Sequence, residues 1–353
     1  MANEKPVSVG IIGLGRAGWG IHVATITQPV VAKKFRIVAV SDLIGARMDE
    51  AKAAFGCRTY ANMDDLLADK EVELVVVATF NNLHVPHSIA ALKAGKHVLC
   101  EKPMATSLAD ADRAIQAAKE SGKILTYDHQ MRFEPAHCKV VEVIQSGKLG
   151  EIILMHLSQH MFRRRWDWQT LKQVGGGEMN NNGTHLVDEA LQFLGEDVTP
   201  KVTSDLRRTP NCAGDADDHV KINLMAPGKP TIDVEVSNSM AMGAPHYQVF
   251  GTYGALVGDM DKLTWRFINP ASLDERLPDP NPTPDRSYNR YDLPWQEESW
   301  SAGNADQSGY VPLYLSLYET LRHGAPLAIT PESVRRNIAV LEECRRQSAL
   351  YSA

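Results

Sequence analysis

Residues 7–18 have the sequence Val-Ser-Val-Gly-Ile-Ile-Gly-Leu-Gly-Arg-Ala-Gly. The apolar part predicts a buried parallel strand, and the spacing Gly13-x-Gly15-x-x-Gly18 predicts a tight turn into a helix. Gly13 permits the turn, Gly15 lets a pyrophosphate approach the backbone, and Gly18 lets the helix pack close to the strand. The free N–H groups at the start of such a helix attract phosphate. The stretch therefore predicts a dinucleotide site, with an ordinary strand, turn and helix as the alternative.

A carboxylate at the end of the next predicted strand supports the dinucleotide site. Residues 35–41 are largely apolar, and Asp42 follows them, 24 residues after Gly18. An acid at roughly this distance, about 20 residues, accepts hydrogen bonds from the adenosine ribose. Asp42 also predicts NAD rather than NADP, because its charge repels a 2′-phosphate. The nearest cation that could receive that phosphate is Arg47, in the next predicted helix.

Composition predicts a globular protein of two domains. The 353 residues are 44% hydrophobic and 23% charged, with a formal net charge of −6. The acidic balance and the lack of a long basic run argue against a nucleic-acid partner. The five cysteines contain no Cys-x-x-Cys pair, so we expect neither a disulfide framework nor a metal site. We find no signal peptide and no membrane-length apolar run, and we therefore expect a cytoplasmic protein with no membrane partner.

The first 130 residues alternate predicted strands and helices, which indicates a dinucleotide-binding domain over residues 1–130. After the first strand, the predicted strands are 35–41, 72–78, 97–100 and 123–127, and the helices include 45–55, 86–94 and one that begins at Ser107. This order predicts a doubly wound parallel sheet of the Rossmann type with helices on both faces. Ligands of such sheets bind beyond the carboxyl ends of the strands. The polar residues at or just after those ends are Asp42, Thr79, Asn81, Glu101, Lys102 and His129.

Two segments of this half resemble a known family. They are the glycine turn and residues 94–103, Ala-Gly-Lys-His-Val-Leu-Cys-Glu-Lys-Pro. Together they resemble the glucose–fructose oxidoreductase / inositol dehydrogenase / rhizopine-catabolism (Gfo/Idh/MocA) family, and Glu101-Lys102-Pro103 is the specific part. The resemblance implies an NAD(P)-dependent dehydrogenase or reductase acting on CH–OH groups. It further implies that Lys102 contacts both the substrate and the nicotinamide ribose.

Lys102 also has a chemical argument of its own. Pro103 disfavours helical geometry at the residue before it, so an extended backbone presents the lysine side chain. A cation in that position can stabilise a developing alkoxide, although an ion pair with Glu101 or a surface acid is the alternative. We expect cofactor contacts from Gly13, Gly15, Arg16, Ala17, Gly18, Asp42, Thr79, Asn81, His84, Glu101 and Lys102.

The pattern changes after residue 130, and alternating strands predominate. The predicted strands are 152–164, 202–208, 219–225, 232–237, 247–250, 256–259 and 263–268. They predict an α+β domain over 131–353 with an open, largely antiparallel sheet. A proline-rich loop or arm over 269–294 and two helices, 312–322 and 331–349, complete it, and the last helix is available to pack back on the first domain. The resemblance implies that such a sheet packs against another subunit, which gives a homodimer or homotetramer.

The second chemical motif is residues 175–188, Gly-Gly-Gly-Glu-Met-Asn-Asn-Asn-Gly-Thr-His-Leu-Val-Asp. It resembles the family's glycine triplet followed by an acid, a glycine, a histidine and an acid. This match places His185 on the catalytic histidine and Asn181 where many members have aspartate. Asparagine can hydrogen-bond a hydroxyl but cannot take a proton.

His185 is expected in the first turn of a helix over 183–194. A helix N-terminus disfavours imidazolium, so His185 would stay neutral and able to accept a proton. A buried structural histidine is the alternative. Asp188, one turn further on, is a candidate hydrogen-bond partner of His185, or else a solvated or structural acid.

Residues 163–168, Arg-Arg-Arg-Trp-Asp-Trp, end a predicted strand just before the glycine triplet. Strand alternation places Arg163 and Arg165 on one face. Guanidinium groups suit sugar hydroxyls, and tryptophan rings suit sugar C–H groups, although an exposed basic edge strand is the alternative. The expected substrate-binding residues are Asn181, Arg163, Arg165, Asp167, Asp188 and His129.

These residues predict an NAD-dependent oxidoreductase that moves a hydride between nicotinamide and a secondary carbinol of a sugar, inositol or related polyol. His185 exchanges the proton, and Lys102 stabilises the alkoxide. A second hypothesis is an NAD-dependent glycoside hydrolase or lyase of the same fold, which would yield a cleaved glycoside and no net NADH. A third is a non-catalytic NAD(H)-binding sensor, which would show no turnover. The presence of Lys102 and His185 argues against the sensor.

Overall fold

Two β-sheets organise the chain in the computed structural model, which describes residues 5–283, 286–288, 291–303 and 308–352. The strands of the first sheet are β1 (Val7–Ile12), β2 (Phe35–Ser41), β3 (Arg58–Tyr60), β4 (Leu74–Val77), β5 (His97–Cys100) and β6 (Leu125–Tyr127). They are all parallel and lie in the order β3-β2-β1-β4-β5-β6. The predicted doubly wound sheet is confirmed, while the short, partly exposed β3 was not predicted.

Helices cover this sheet, and those over 45–55, 84–93 and 108–121 lie where the sequence predicts helices. They are α1 (a π-helical turn, Gly18–Val23, continued by Ala24–Ile26), α2 (Pro29–Ala32), α3 (Gly45–Phe55), α4 (Met63–Ala68), α5 (His84–Lys93), α6 (Leu108–Ser121) and α7 (Pro135–Gln145). Two of these helices begin with a side-chain cap. The Asn62 side chain accepts from the Asp64 N–H at the start of α4, and Ser107 accepts from the Asp110 N–H at the start of α6.

The second sheet has eight strands. They are β7 (Ile152–His160), β8 (Lys201–Arg207), β9 (His219–Met225), β10 (Thr231–Ser237), β11 (Tyr247–Gly251), β12 (Gly254–Gly258), β13 (Lys262–Phe267) and β14 (Gln296–Ser301). Their order is β14-β13-β12-β11-β7-β10-β9-β8, and every pair except β7 with β10 is antiparallel. The predicted open, largely antiparallel sheet is confirmed.

Two predictions about these strands need correction. β7 ends at His160 rather than Arg164, because the chain beyond it makes only isolated bridges, Phe162 with Ser239 and Arg165 with Cys212. β14 was not predicted, since its sequence Gln-Glu-Glu-Ser-Trp-Ser is mostly polar. An edge strand with much of its surface in water carries such a sequence without cost. In the proline-rich segment, residues 284–285 and 289–290, and with them Pro284, lie outside the described residues.

Three helices complete the fold, and the last of them contacts both sheets. They are α8 (Thr184–Leu194, preceded by a π-helical turn, Met179–Gly183), α9 (Tyr310–His323) and α10 (Pro331–Gln347). α8 packs on β7 and β10, and α10 contacts α6 and β6 of the first half as well as α8 and β8 of the second. Arg345 of α10 donates to the main-chain oxygen of Thr106 and to Asn180 Oδ1, so one side chain ties both halves together. The domain boundary at residue 130 stays a prediction. Among the described residues, no helix has the length and apolar character needed to cross a bilayer.

The glycine turn has the close contacts that its sequence predicts. Gly13 has φ +92°, and a Cβ on it would lie 2.3 Å from the Ala78 main-chain oxygen. A Cβ on Gly18 would lie 1.9 Å from the Gly13 main-chain oxygen. At Gly15 a Cβ would meet only Arg47 Nη1, at 4.0 Å. The turn is therefore tightly packed behind Gly13 and Gly18 and open in front of Gly15.

Gly18→Ala should lower the free energy of unfolding by about 1–3 kcal/mol, because the added methyl group forces the turn and helix apart. Gly20 lies in the same helical turn, and no atom comes within 4 Å of its added Cβ. Gly20→Ala should therefore stabilise the protein by up to about 1 kcal/mol. Urea unfolding of both variants measures the difference, and equal stabilities would contradict the packing described here.

Candidate active site

A cavity of about 770 Å³ lies where the carboxyl ends of the first sheet meet the second half of the chain. Eleven of the predicted site residues line it. They are Arg16, Ala17, Thr79, Asn81, His84, Glu101, Lys102, Arg163, Arg165, Asn181 and His185. The glycine turn borders it through Arg16 and Ala17, whereas Gly13, Gly15, Gly18 and Asp42 are not among the residues that line it. The structure thus brings the two chemical motifs together at the predicted edge of the sheet.

The Asp42 carboxylate is held in place by two main-chain N–H groups, one in the glycine turn and one just after Asp42. One oxygen accepts from the Leu14 N–H at 2.6 Å, and the other accepts from the Ile44 N–H at 2.8 Å. Arg47 Nη1 lies 3.5 Å from Asp42 Oδ2. The cation noted in the sequence is therefore beside the acid, where it offsets part of the charge of Asp42.

Lys102 makes its contacts across the cavity rather than with a surface acid. Its Nζ donates to the main-chain oxygen of Asn181 at 2.6 Å and lies 3.3 Å from Asn181 Oδ1. Burial lowers the pKa of Lys102, and the charges of Glu101 and Asp128 only partly oppose that shift. The neutral amine is therefore more accessible here than for a lysine in water.

Asn81 and His84 line the cavity, but their polar groups bind the backbone. Asn81 Nδ2 donates to the Gly175 main-chain oxygen at 2.7 Å, which joins the first sheet to the glycine triplet. His84 Nδ1 lies 2.8 Å from the Pro103 main-chain oxygen and holds the Glu-Lys-Pro loop. Both residues position loops around the expected cofactor.

His185 is neutral for a different reason from the one predicted. The π-helical turn Met179–Gly183 precedes α8, so His185 is not in the first turn of the helical segment. Burial lowers the pKa of His185 well below its usual value, and the charges of Lys102 and His129 lower it further. The Nδ1 atom is buried without a hydrogen-bond partner. Because His185 lines the cavity, the neutral imidazole is available there as a proton acceptor.

Asp188 is the structural acid that the sequence offered as the alternative to a hydrogen bond with His185. Asp188 is fully buried and accepts two hydrogen bonds from Arg132, both at 2.7 Å. His129 Nδ1 lies 3.6 Å from Asp188, and burial lowers the pKa of His129 to about 4. Neither His129 nor Asp188 is among the residues that line the cavity. His129, Asp188 and Arg132 therefore form a buried group of contacting side chains outside the cavity lining.

Glu178 does not line the cavity itself, but it is the shared acceptor of side chains that do. Its Oε1 accepts from Arg163 Nη2 at 2.8 Å, from Arg165 Nη1 at 3.3 Å and from Asn238 Nδ2 at 3.0 Å. Its Oε2 accepts from Asn182 Nδ2 at 2.6 Å. Burial raises the pKa of Glu178, but Arg163 and the Asn238 hydrogen bond outweigh it and lower the pKa. The sequence analysis assigned Glu178 no role, although it directly follows the glycine triplet.

Arg163 and Arg165 both bind Glu178, although they lie beyond the end of β7, where the predicted strand alternation does not apply. Arg165 also binds the Asp167 carboxylate through two nitrogens. Asp167 accepts from the Gln169 N–H and caps the short helical turn Trp168–Thr170, and it does not line the cavity. Trp168 does line it and packs on Phe80, with ring centroids 4.9 Å apart. Asp167 therefore has no surface in the cavity and acts on it by holding the Arg165 side chain.

Three buried ionisable groups lie on the Lys102 side of the cavity. Glu101 Oε1 is 3.2 Å from His22 Nε2, and Asp128 Oδ2 is 4.0 Å from the same atom. His22 Nδ1 is 2.9 Å from the Tyr314 hydroxyl. Over the part of the chain that the structure describes, this is the one cluster of three whose composition and spacing could hold a metal ion. The sequence analysis missed His22 and Asp128, since no spacing rule connects them.

Comparison with known proteins identifies the family. Residues 7–129 match the oxidoreductase family with an NAD-binding Rossmann fold, and residues 137–257 match the GFO/IDH/MocA C-terminal domain. The chain belongs to the Gfo/Idh/MocA oxidoreductase family. An uncharacterised oxidoreductase of Schizosaccharomyces pombe is 30% identical over 71% of this chain and 70% of its own length. Inositol 2-dehydrogenase 2 of Saccharopolyspora erythraea is 29% identical over 76% of each chain.

A solved structure shows the same fold. Biliverdin reductase from Synechocystis, in complex with biliverdin and NADP⁺, has a TM-score of 0.75 and 21% identity over 98% of this chain and 99% of its own. This likeness shows the fold, while the two family models confirm the predicted family, which is one of NAD-binding oxidoreductases.

Glu178→Gln should lower the free energy of unfolding by about 1–3 kcal/mol, because it leaves buried donors without a charged acceptor. The pKa of Glu178 is lowered in the folded protein, so its stabilising charge is present above the ordinary carboxyl pKa of 4.5 and is lost as pH falls through the folded value. The difference in free energy of unfolding between the wild type and Glu178→Gln should therefore shrink below about pH 4.5.

Asp167→Asn is the matched control, because it removes a half-exposed partner of the same Arg165 and should cost under about 1 kcal/mol. Urea titrations at pH 7 and at pH 4 measure both variants. An equal cost for the two variants at pH 7 would show that Glu178 is not the centre of this network.

Proposed function

We propose that this protein is an NAD-dependent oxidoreductase that moves a hydride between nicotinamide and a secondary carbinol of a sugar, inositol or related polyol. The observation that carries the proposal is that Lys102 and His185, which are far apart in sequence, line one cavity next to the glycine turn. Trp168, Arg163 and Arg165 line the same cavity and suit the C–H and hydroxyl groups of a sugar ring. The name of the Saccharopolyspora relative, inositol 2-dehydrogenase, supports the same class.

The residues of the glycine turn fit a dinucleotide. A side chain at Gly15 would project into open space, as a backbone that cradles a pyrophosphate requires. Arg16 and Ala17 would hold the cofactor from the turn, and Asp42 would accept from its ribose. The nicotinamide ring, when bound, supplies the acceptor or donor of the hydride.

The chain's own residues supply the proton chemistry and the positioning. His185 accepts the hydroxyl proton on oxidation and returns it on reduction. Lys102 stabilises the negative charge that develops on the carbinol oxygen. Asn181 positions Lys102 through its main-chain oxygen and offers its amide to a hydroxyl. Arg163 and Arg165, fixed by Glu178, orient the remaining hydroxyls.

A screen of sugars, inositols and polyols with NAD and NADP tests the activity, with the appearance of reduced cofactor as the signal. A cleaved glycoside without net NADH would instead support the hydrolase or lyase. Cofactor binding with no turnover on any polyol would support the sensor.

His185→Ala should lower kcat by about 10²–10⁴-fold while NAD still binds, because general acid–base catalysis contributes about this factor. Lys102→Ala should lower kcat by a similar or larger factor, since it removes the cation that stabilises the developing negative charge. Asn181→Ala is the control for positioning and should raise KM more than it lowers kcat. A His185→Ala enzyme with near-normal kcat would assign the proton to another group.

We also propose NAD rather than NADP as the cofactor. Asp42 would repel a 2′-phosphate, and Arg47 Nη1, 3.5 Å away, has part of its charge offset by the same carboxylate. The Synechocystis biliverdin reductase structure contains NADP⁺. The cofactor preference of the present protein is therefore argued from its own residues and has to be measured on it.

Asp42→Ala should narrow the preference for NAD, because it removes the repulsion and leaves Arg47 able to bind a phosphate. Asp42→Ala combined with Arg47→Ala should lose the gain in NADP affinity. Binding of NADH and NADPH, followed by fluorescence, measures both effects. NADP binding as tight as NAD binding in the wild type would refute the assignment.

We propose in addition that the protein forms a homodimer or homotetramer through the second sheet. Residues of β9 and β10 alternate between buried and partly exposed, so one face of this sheet is covered within the chain and the other is open. Light scattering during size exclusion measures the subunit number, and a monomer would refute the proposal.

A further inference from the structure

His246 lines the same cavity as His185 and directly precedes β11. Its main-chain N–H donates to Asp259 Oδ1 at 2.8 Å, and its main-chain oxygen accepts from the Ser158 N–H at 2.9 Å. Its ring packs edge-on against the ring of Tyr247, with the centroids 4.4 Å apart. Two backbone hydrogen bonds and a ring contact therefore hold this mostly buried imidazole in the cavity wall.

Two other histidines of the cavity lining have both ring nitrogens occupied. The ring nitrogens of His84 lie 2.8 and 3.2 Å from two main-chain oxygens. His160 Nδ1 accepts from a main-chain N–H at 3.0 Å, and its Nε2 lies 3.6 Å from Glu235 Oε1. His185 and His246 are therefore the histidines of the lining that can offer a ring nitrogen to a ligand.

The carboxylate that faces His246 belongs to Glu189, which lies in α8 one helical turn beyond His185 and is fully buried. Glu189 Oε1 is 3.6 Å from His246 Nε2. Glu189 Oε2 accepts from the Tyr247 hydroxyl at 2.5 Å and lies 3.4 Å from His137 Nδ1. A buried carboxylate requires partners of this kind, because its charge is costly without them.

The ionised state of Glu189 decides where the hydrogen of His246 lies. Burial raises the pKa of Glu189, but the contacts with His137 and His246 outweigh burial and leave that pKa well below its usual value. An ionised carboxylate only accepts hydrogen bonds, so an imidazole nitrogen that faces it carries a hydrogen. In neutral His246 that nitrogen is Nε2, which leaves the lone pair on Nδ1. Carboxylates select histidine tautomers in the same way in metal sites and catalytic triads.

The buried position of Nε2 leaves Nδ1 as the nitrogen of His246 that can meet a ligand. The Nε2 atom is enclosed by protein on the Glu189 side, whereas the residue as a whole forms part of the cavity wall. His246 therefore presents a hydrogen-bond acceptor to the cavity, and its place and its tautomer are both set by the surrounding protein.

We infer that His246 Nδ1 accepts a hydrogen bond from a substrate hydroxyl other than the one that reacts, and that Glu189 is the positioning residue that keeps this nitrogen free of hydrogen. The inference rests on the proposed oxidoreductase function and deepens it, because the substrate must then carry a second hydroxyl donor. Sugars and inositols meet this requirement, and simple monoalcohols do not. No bond to His246 forms or breaks, since His185 exchanges the proton of the reacting hydroxyl.

An acceptor in this wall complements the cations of the cavity. Lys102, Arg163 and Arg165 donate hydrogen bonds and accept none. Asn181 Oδ1 can accept, but Lys102 Nζ already lies 3.3 Å from it. A hydroxyl whose oxygen is bound by one of these cations still has its own hydrogen to donate. The lone pair of His246 Nδ1 can receive that hydrogen.

Nitrogen NMR of the histidine rings tests the tautomer in the protein without cofactor or substrate. At pH 8, above the ordinary histidine pKa of about 6.5, wild-type His246 should carry a hydrogen on Nε2 and none on Nδ1. Glu189→Gln keeps the size of the side chain and removes its charge, so both tautomers of His246 should then be populated. A hydrogen on Nδ1 of the wild type, with or without one on Nε2, would overturn the inference from the wild-type spectrum alone.

His246→Gln tests the substrate contact, because it removes the Nδ1 acceptor and leaves an amide that can donate to Glu189. It should raise KM about threefold to tenfold for the polyol that the screen identifies, which corresponds to the loss of one hydrogen bond, and it should change kcat less than KM. For the one deoxy analogue that lacks the bonded hydroxyl, His246→Gln and the wild type should have the same KM.

His137→Asn is the matched control, because His137 faces the same carboxylate through Nδ1 and does not line the cavity. It should leave KM unchanged for the polyol and for every deoxy analogue, even if it lowers the stability of the protein. A rise in KM equal to that of His246→Gln would assign the effect to Glu189 and the packing around it, and would overturn the inference.

Two other outcomes would also overturn it. Equal increases of KM in His246→Gln for the polyol and for all its deoxy analogues would mean that His246 shapes the cavity without binding a hydroxyl. A fall of kcat as large as that expected for His185→Ala would make His246 the base. A wild type inactive on all sugars and polyols would instead refute the proposed function, and the tautomer spectra would still decide whether Glu189 orients His246.

Discussion

The hydrogen bond from the Lys102 ammonium to the main-chain oxygen of Asn181 is the contact on which the cavity depends. A buried cation is costly unless polar groups compensate it. Part of that compensation comes from the other half of the chain, so Lys102 is fully satisfied only when the two sheets are packed together. The contact of Asn81 with Gly175 crosses the same boundary. The site is therefore a property of the assembled chain and of neither half alone.

Charge pairs surround the cavity on both sides. Glu178 is bound by Arg163 and Arg165, and Glu101 by His22, while His185 between them stays neutral. A neutral polyhydroxyl ligand can add hydrogen bonds without displacing any of these partners. The electrostatics of the cavity are thus consistent with the substrate class that we propose.

The sequence predicted what depends on neighbours along the chain. The glycine turn, the capped helices and the position of Lys102 after β5 follow from residues only a few positions apart, and the structure has them as expected. The partners of Asp188 and Asp128 could not be found in this way. Arg132 lies 56 residues from Asp188, and His22 lies in α1, whereas Glu101 and Asp128 follow β5 and β6. Glu178 was visible beside the glycine triplet, but its role depends on arginines that reach it only after β7 has ended.

The last helix has a consequence for the order in which the protein matures. Arg345 of α10 binds both the loop after Lys102, at Thr106, and the turn before His185, at Asn180. A ribosome makes α10 after both of these segments, and domains fold from the N-terminus as they emerge. The first sheet can form during synthesis, whereas the two Arg345 contacts form only when α10 has left the exit tunnel. A nascent chain that lacks α10 would therefore carry both chemical motifs without the side chain that ties their flanking segments together.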